Sequence, residues 1–101
     1  MGNILDTAQI ILSQIKTIDP MALFAWGAKD LLNMGDGLKF KTSGMTPWKG
    51  YVYIKYDEGK DLYQIQFFRF RKMEVKYDKT VDDVYAEDLV RIIDDFVGWY
   101  H

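Results

Sequence analysis

The chain has no cysteine, and its single histidine is His101. The first absence rules out disulfides and thiolate metal sites as sources of stability, in keeping with a reducing compartment. The second removes the commonest general base. With Ser13 and Ser43 as the only serines, no Ser-His or Cys-His nucleophile can be assembled from internal residues. Long apolar runs are missing as well: residues 4–18 are interrupted by Asp6, Gln9, Gln14 and Lys16 and carry no basic leader. That pattern argues against a signal peptide or a membrane span. Gly35-Asp36-Gly37 reads as a turn, because a phosphate loop needs a longer glycine pattern followed by Lys and Ser or Thr. These absences leave no catalytic residue, no metal ligand set and no cofactor motif, so the expectation is a protein that is not an enzyme.

What is present describes one ordinary folded domain over residues 1–101, with 49% apolar and 28% charged residues and a net charge of −2. That length suffices for one core and is too short for two. Aromatic residues are abundant at 16%, and they concentrate in residues 51–71, GYVYIKYDEGKDLYQIQFFRFR with its preceding glycine. This segment alternates as two strands folded back through Glu58-Gly59. Pairing Ile54 with Tyr63 and Val52 with Ile65 gathers Val52, Ile54, Tyr56, Tyr63, Ile65 and Phe67 on one face. Tyr51, Tyr53, Lys55, Leu62, Gln64 and Gln66 fall on the other. A slip by one residue would set Ile54 against Gln64 and spoil both faces.

Around that hairpin the periodicity predicts a helix over residues 4–17 with Asn3 as N-cap, and a short helix over 20–26 started by Asp19-Pro20. Residues 29–34 fit a strand better than a continued helix, since residues 38–42 alternate cleanly and need a neighbour. Residues 43–50 read as a loop. A fifth strand is expected over 73–77, and Phe67-Phe68 suggests a bulge or a strand running past the core edge. Thr80 and Asp83 resemble a capped helix start, followed by an apolar stripe at Tyr85, Leu89, Ile92, Ile93, Phe96 and Tyr100. The expected fold is α+β: a twisted antiparallel sheet of four to five strands, with the N- and C-terminal helices packed on one face.

Gly27-Ala28-Lys29, the strand at residues 38–42, the run Tyr63 to Phe68 followed by Arg69-Phe70-Arg71, and Val84-Tyr85-Ala86-Glu87-Asp88-Leu89 ahead of Gly98-Trp99-Tyr100 resemble a family of small proteins of bacteriophages and integrated mobile elements. The likeness spans nearly the whole chain; a longer connection over residues 16–20 and Trp26 in place of a small polar residue depart from it. The family has no established activity, so the resemblance implies a setting, an accessory protein in a bacterial cytoplasm, and transfers no functional residue.

Two surfaces compete for a function. The first is the sheet face bearing Tyr51, Tyr53, Lys55, Gln64 and Gln66, which two helices of these lengths leave uncovered. Tyrosine is amphipathic and enriched at interfaces, so a protein partner or a second copy would bind there. The alternative is a nucleic-acid-binding module using Arg69, Arg71 and Lys72 with the nearby aromatics, against which the net negative charge counts. The acids Asp57, Glu58 and Asp61 fit a solvated turn. Those of the C-terminal segment fit the wet side of an amphipathic helix.

Overall fold

A computed structural model describes residues 6–43 and 46–98. The first helix, α1 (Thr7–Ile18), begins where a capping box closes: Asp6 Oδ1 accepts the Gln9 N–H at 2.8 Å, and Gln9 Oε1 accepts the Asp6 N–H at 3.2 Å. Two orphan amides are thereby satisfied, so Asp6 is the cap; the expected cap Asn3 lies outside the described residues. Ala8, Ile11 and Ile15 form the buried stripe. Asp19 ends this helix, and its carboxylate accepts the Met21 N–H at 3.0 Å. The second helix is only α2 (Ala22–Ala25), shorter at both ends than the predicted segment.

Five strands follow: β1 (Lys29–Asn33), β2 (Gly37–Lys41), β3 (Tyr51–Asp57), β4 (Leu62–Arg71) and β5 (Glu74–Val84). They form one antiparallel sheet in sequence order. Residues 29–33 are thus a strand, as the alternation of their neighbour suggested. Every residue of β1 is exposed, and a bulge between Lys29 and Leu32, with Asp30 at φ 55°, kinks this edge. The kink and the charges blunt an edge that would otherwise recruit another strand. The β1–β2 turn uses Gly35 at φ 88°. At Gly37 a Cβ would lie 1.9 Å from the Ile54 carbonyl oxygen, so only glycine lets β2 approach β3 there.

The central hairpin pairs Val52 with Phe67, Ile54 with Ile65 and Tyr56 with Tyr63. That register differs by two residues from the expected one. A two-residue shift preserves parity, so both faces keep the expected side chains. The shift arises at the turn, which spans four residues between paired Asp57 and Leu62. Its carboxylate cap Asp57 accepts the Gly59 and Lys60 amides at 3.0 and 3.3 Å. The residue at positive φ is Asp61 (φ 57°), the position expected for Gly59.

Strand β5 runs eleven residues where five were expected. Thr80 and Asp83, taken as a helix start, belong to this strand: Thr80 lies opposite Gln66, Val81 opposite Ile65 and Val84 opposite Tyr63. The ten-residue β4 needs a partner along its length, and its unpaired amides outweigh the local capping signal. The helix begins only after a single 3₁₀ turn (Ala86–Asp88), as α3 (Leu89–Gly98). Tyr85 is exposed, Tyr100 lies outside the described residues, and Leu89, Val90, Ile93 and Val97 make the buried stripe. The expected disturbance at Phe67-Phe68 falls on β5: the register shifts there, with Asp78 as the extra residue. Alternation in β4 continues unbroken, and Phe70 stays 55% exposed.

Leu38, Phe40, Val52, Ile54, Ile65 and Phe67 pack with Ile11, Ile15, Leu89, Ile93 and Val97, so both terminal helices cover one sheet face. Each such side chain contributes roughly 1.5–3 kcal/mol on burial. Two tryptophans complete the layer. Trp26 stacks on Phe40 with ring centres 6.0 Å apart, and its indole N–H donates to Asp94 of α3 at 3.2 Å. Trp48 drops from the loop before β3 between Phe67 and Phe96, held by the Thr46 hydroxyl on its carbonyl. Among the described residues no helix is long and apolar enough to cross a membrane.

The β4–β5 turn places two successive non-glycine residues in the left-handed region. Lys72 and Met73 have φ of 48° and 67°, the conformation of a two-residue turn that favours Asn-Gly. Each non-glycine residue there costs roughly 1–2 kcal/mol. Replacing Lys72-Met73 by Asn-Gly is expected to stabilise the chain by about 1 kcal/mol, which raises the thermal midpoint by about 4–8 °C. An unchanged midpoint would show that the turn carries no such strain.

Candidate functional site

The reverse of the sheet carries the side chains of opposite parity. Tyr53 lies opposite Gln66, Lys55 opposite Gln64 and Tyr51 opposite Phe68. Tyr51, Tyr53, Lys55, Gln64 and Gln66 therefore share one face, with Lys39 and Lys41 beside Tyr53 and Tyr51 on β2. The face has two different halves.

Toward the β3–β4 turn it is a hydrogen-bonded polar surface. Tyr53 donates its hydroxyl to Asp36, Gln66 donates to Gln64 Oε1 at 2.7 Å, and Gln64 donates to Asp82 Oδ1 at 2.6 Å. Burial and the Asp36 carboxylate push the Tyr53 phenol up to about 12. Most polar groups of this half are already satisfied within the chain, so a partner would have to replace existing bonds.

The other half is aromatic. Tyr51 stacks on Phe68 with centres 5.4 Å apart, Phe70 meets both edge-on, and Tyr77 tilts against Phe68. Phe68 is almost fully covered by these neighbours, whereas Phe70 and Tyr77 are 55% and 60% exposed. Because Tyr51 at the start of β3 lies opposite Phe68, residues 69–76 extend beyond β3 as a two-stranded ribbon. The ribbon also exposes Val75 and, at its tip, Met73. The ammonium groups of Lys39 and Lys41 sit 5.5 and 5.8 Å from the Tyr51 ring centre, an arrangement the ring quadrupole favours.

Sequence reasoning placed Tyr51 in the site, grouped Phe68 and Phe70 with the arginines instead, and missed Tyr77, Lys39 and Lys41. The signal was available in the alternation of Lys39 and Lys41 with Leu38 and Phe40, and in the parity shared by Gln64, Gln66, Phe68 and Phe70. What hid it was treating Phe68 and Phe70 as companions of the arginines. Alternation sets Arg69 and Arg71 on the opposite face from Phe68 and Phe70, with Lys72 in the turn. Arg69 grips Asp78 through two nitrogens, Nε at 2.6 Å and Nη2 at 3.1 Å, and Asp78 also accepts the Trp48 indole at 2.9 Å. Arg69 is thus built into a partly buried node on the helix side. Arg69, Arg71 and Lys72 do not assemble with the aromatic cluster.

The acidic turn is equally committed to structure. Asp57 caps the turn, Asp61 accepts the Tyr56 hydroxyl, and that bond pushes the Tyr56 phenol up to about 12. Among the described residues no group of three His, Cys, Asp or Glu stands close enough to hold a metal ion. No family model, curated protein or solved structure matches the chain. The class it defines is an α+β domain with one open face on a five-stranded antiparallel meander.

Burial of Asp78 opposes its ionisation, but the hydrogen bonds from Arg69 and Trp48 and the Arg69 charge outweigh that, and its pKa is lowered. A lowered native pKa gives stability that is complete above the ordinary value of about 3.9 and is lost as pH falls through the native one. Acid unfolding followed by tryptophan fluorescence should therefore show wild type losing more stability than Asp78→Asn as pH drops below about 4. Parallel acid profiles would mean that the node contributes nothing of this kind.

Proposed function

We propose that this chain is a non-enzymatic binding protein that captures a macromolecular partner on the uncovered face of its sheet. The observation that carries this reading is the aromatic cluster of Tyr51, Phe68, Phe70 and Tyr77 on the side opposite both helices, with two of its rings more than half exposed. Contiguous exposed aromatic surface is costly to leave in water and marks interaction sites. The centre of the site moves from the polar residues Tyr53, Gln64 and Gln66 to this aromatic end, because polar groups bonded to one another gain little from a partner. A protein or a second copy of the chain fits the amphipathic Tyr and Phe surface. The presence of Lys39 and Lys41 on the same face favours a second reading, a polyanion. An accessory role for a phage or mobile element in a bacterial cytoplasm belongs to the same proposal and is supported by the family resemblance alone.

The double variant Phe70→Asp, Tyr77→Asp places two charges on the exposed rings without touching the helix-side core. It should remain folded by circular dichroism, and it should lose the self-association or protein capture that wild type shows in sedimentation and affinity experiments. Equal association by wild type and a folded variant would remove this face as the binding surface.

A further inference from the structure

We infer that the occupant of the open face is single-stranded nucleic acid, with Lys39 and Lys41 neutralising its backbone and Phe70 and Tyr77 stacking against its bases. The inference rests on the binding-face reading above and names its partner. Three observations converge on it.

The first is the distribution of charge. The chain is net acidic, but on the open face the acids Asp36 and Asp82 lie toward the β3–β4 turn, where each accepts a hydrogen bond from a neighbour. The acids of α3 and of the 3₁₀ turn before it lie in the layer behind the sheet, where Asp88 and Asp95 flank Arg91 and Asp94 accepts the Trp26 indole. At the aromatic end the ammonium groups stand over Tyr51.

The second is that neither Lys39 nor Lys41 belongs to any ion pair among the described residues, in contrast to Lys60, Arg69 and Arg91. Two cations held against one ring repel each other, and a bound phosphate relieves that repulsion. The third is the mixture itself. Across one sheet face the lysines of β2, Tyr51 of β3 and the exposed rings of β4 and β5 follow one another, so a strand crossing the sheet would meet cations at one side and rings for its unpaired bases at the other. A duplex keeps its bases stacked internally and cannot use Phe70 or Tyr77 in this way, so the geometry selects a single strand. A protein partner would leave the two ammonium charges without a purpose unless it were acidic at that point.

The test is fluorescence anisotropy of labelled mixed-sequence DNA and RNA oligonucleotides, single-stranded and duplex, titrated with the full chain at several salt concentrations. Wild type is expected to bind single strands in preference to duplex, with affinity falling as salt rises. Lys39→Ala with Lys41→Ala should flatten the log-log salt slope by about 1.4, or about 0.7 per contact. Lys39→Arg with Lys41→Arg should retain the slope. Phe70→Ala and Tyr77→Ala should each weaken binding roughly five- to 150-fold with the slope unchanged. Thermal unfolding of each variant checks that it is folded.

Absence of single-strand binding at low salt would overturn the inference, as would equal affinity for duplex. So would a slope carried by Arg71→Ala with Lys72→Ala and untouched by the Lys39 and Lys41 variants. If the oligonucleotides fail but Phe70→Asp with Tyr77→Asp still abolishes self-association or protein capture, the partner assignment falls and the binding face stands. If neither is affected, both fall.

Discussion

Successive side chains of a strand leave on opposite sides, and in this molecule that parity separates core from contact surface across the whole sheet. Val52, Ile54, Ile65 and Phe67 go to the helices; Tyr51, Tyr53, Gln66 and Phe68 go to the reverse. The separation survives a register two residues away from the simplest one, because only an odd shift exchanges the faces. It also survives the bulge in β5, where Asp78 is added without altering the alternation of β4. The extra residue brings a carboxylate to Arg69 and Trp48, so the irregularity becomes an attachment between β4, β5 and the loop that supplies Trp48.

The helical layer is closed as much by tryptophan as by aliphatic stripes. Trp26 and Trp48 are almost completely buried, and each spends its polar N–H on an aspartate, Asp94 and Asp78 respectively. A buried indole without an acceptor would cost about 1–3 kcal/mol. The pairing therefore explains two aspartates that would otherwise count as surface charge. Once Arg69 and these acids are assigned to structure, the cations that stand over the aromatic cluster are Lys39 and Lys41, against Tyr51. The sum of charges hides this arrangement, because attraction for a polyanion depends on the local field of one face.

Strands β4 and β5 outrun β3 and end in a turn of Lys72 and Met73 at positive φ. A two-stranded ribbon standing clear of the sheet buries little. Here Phe70 and Val75 lie opposite each other on the aromatic side. The ribbon thus lengthens the open face in the direction of its exposed rings. The edges are less suited to contact: β1 is kinked and charged, and β5 carries two register shifts, features that discourage strand addition.

By itself the sequence determined the elements whose signal is local and periodic: the α1 stripe, the alternation of β2, β3 and β4, the composition of both faces of the central hairpin, and the α+β arrangement with helices on one side. It also placed Tyr51, Tyr53, Lys55, Gln64 and Gln66 together, since parity needs no knowledge of register. Only the tertiary structure decided the length of β5, where the demand of β4 for a hydrogen-bonded partner overrode the capping signal at Thr80. The same holds for the burial of Trp26 and Trp48 and for the division of Arg69 from Phe68 and Phe70. These outcomes depend on contacts between residues far apart in the chain, such as Trp26 with Asp94 and Trp48 with Asp78, and no local pattern of residue types encodes such distances.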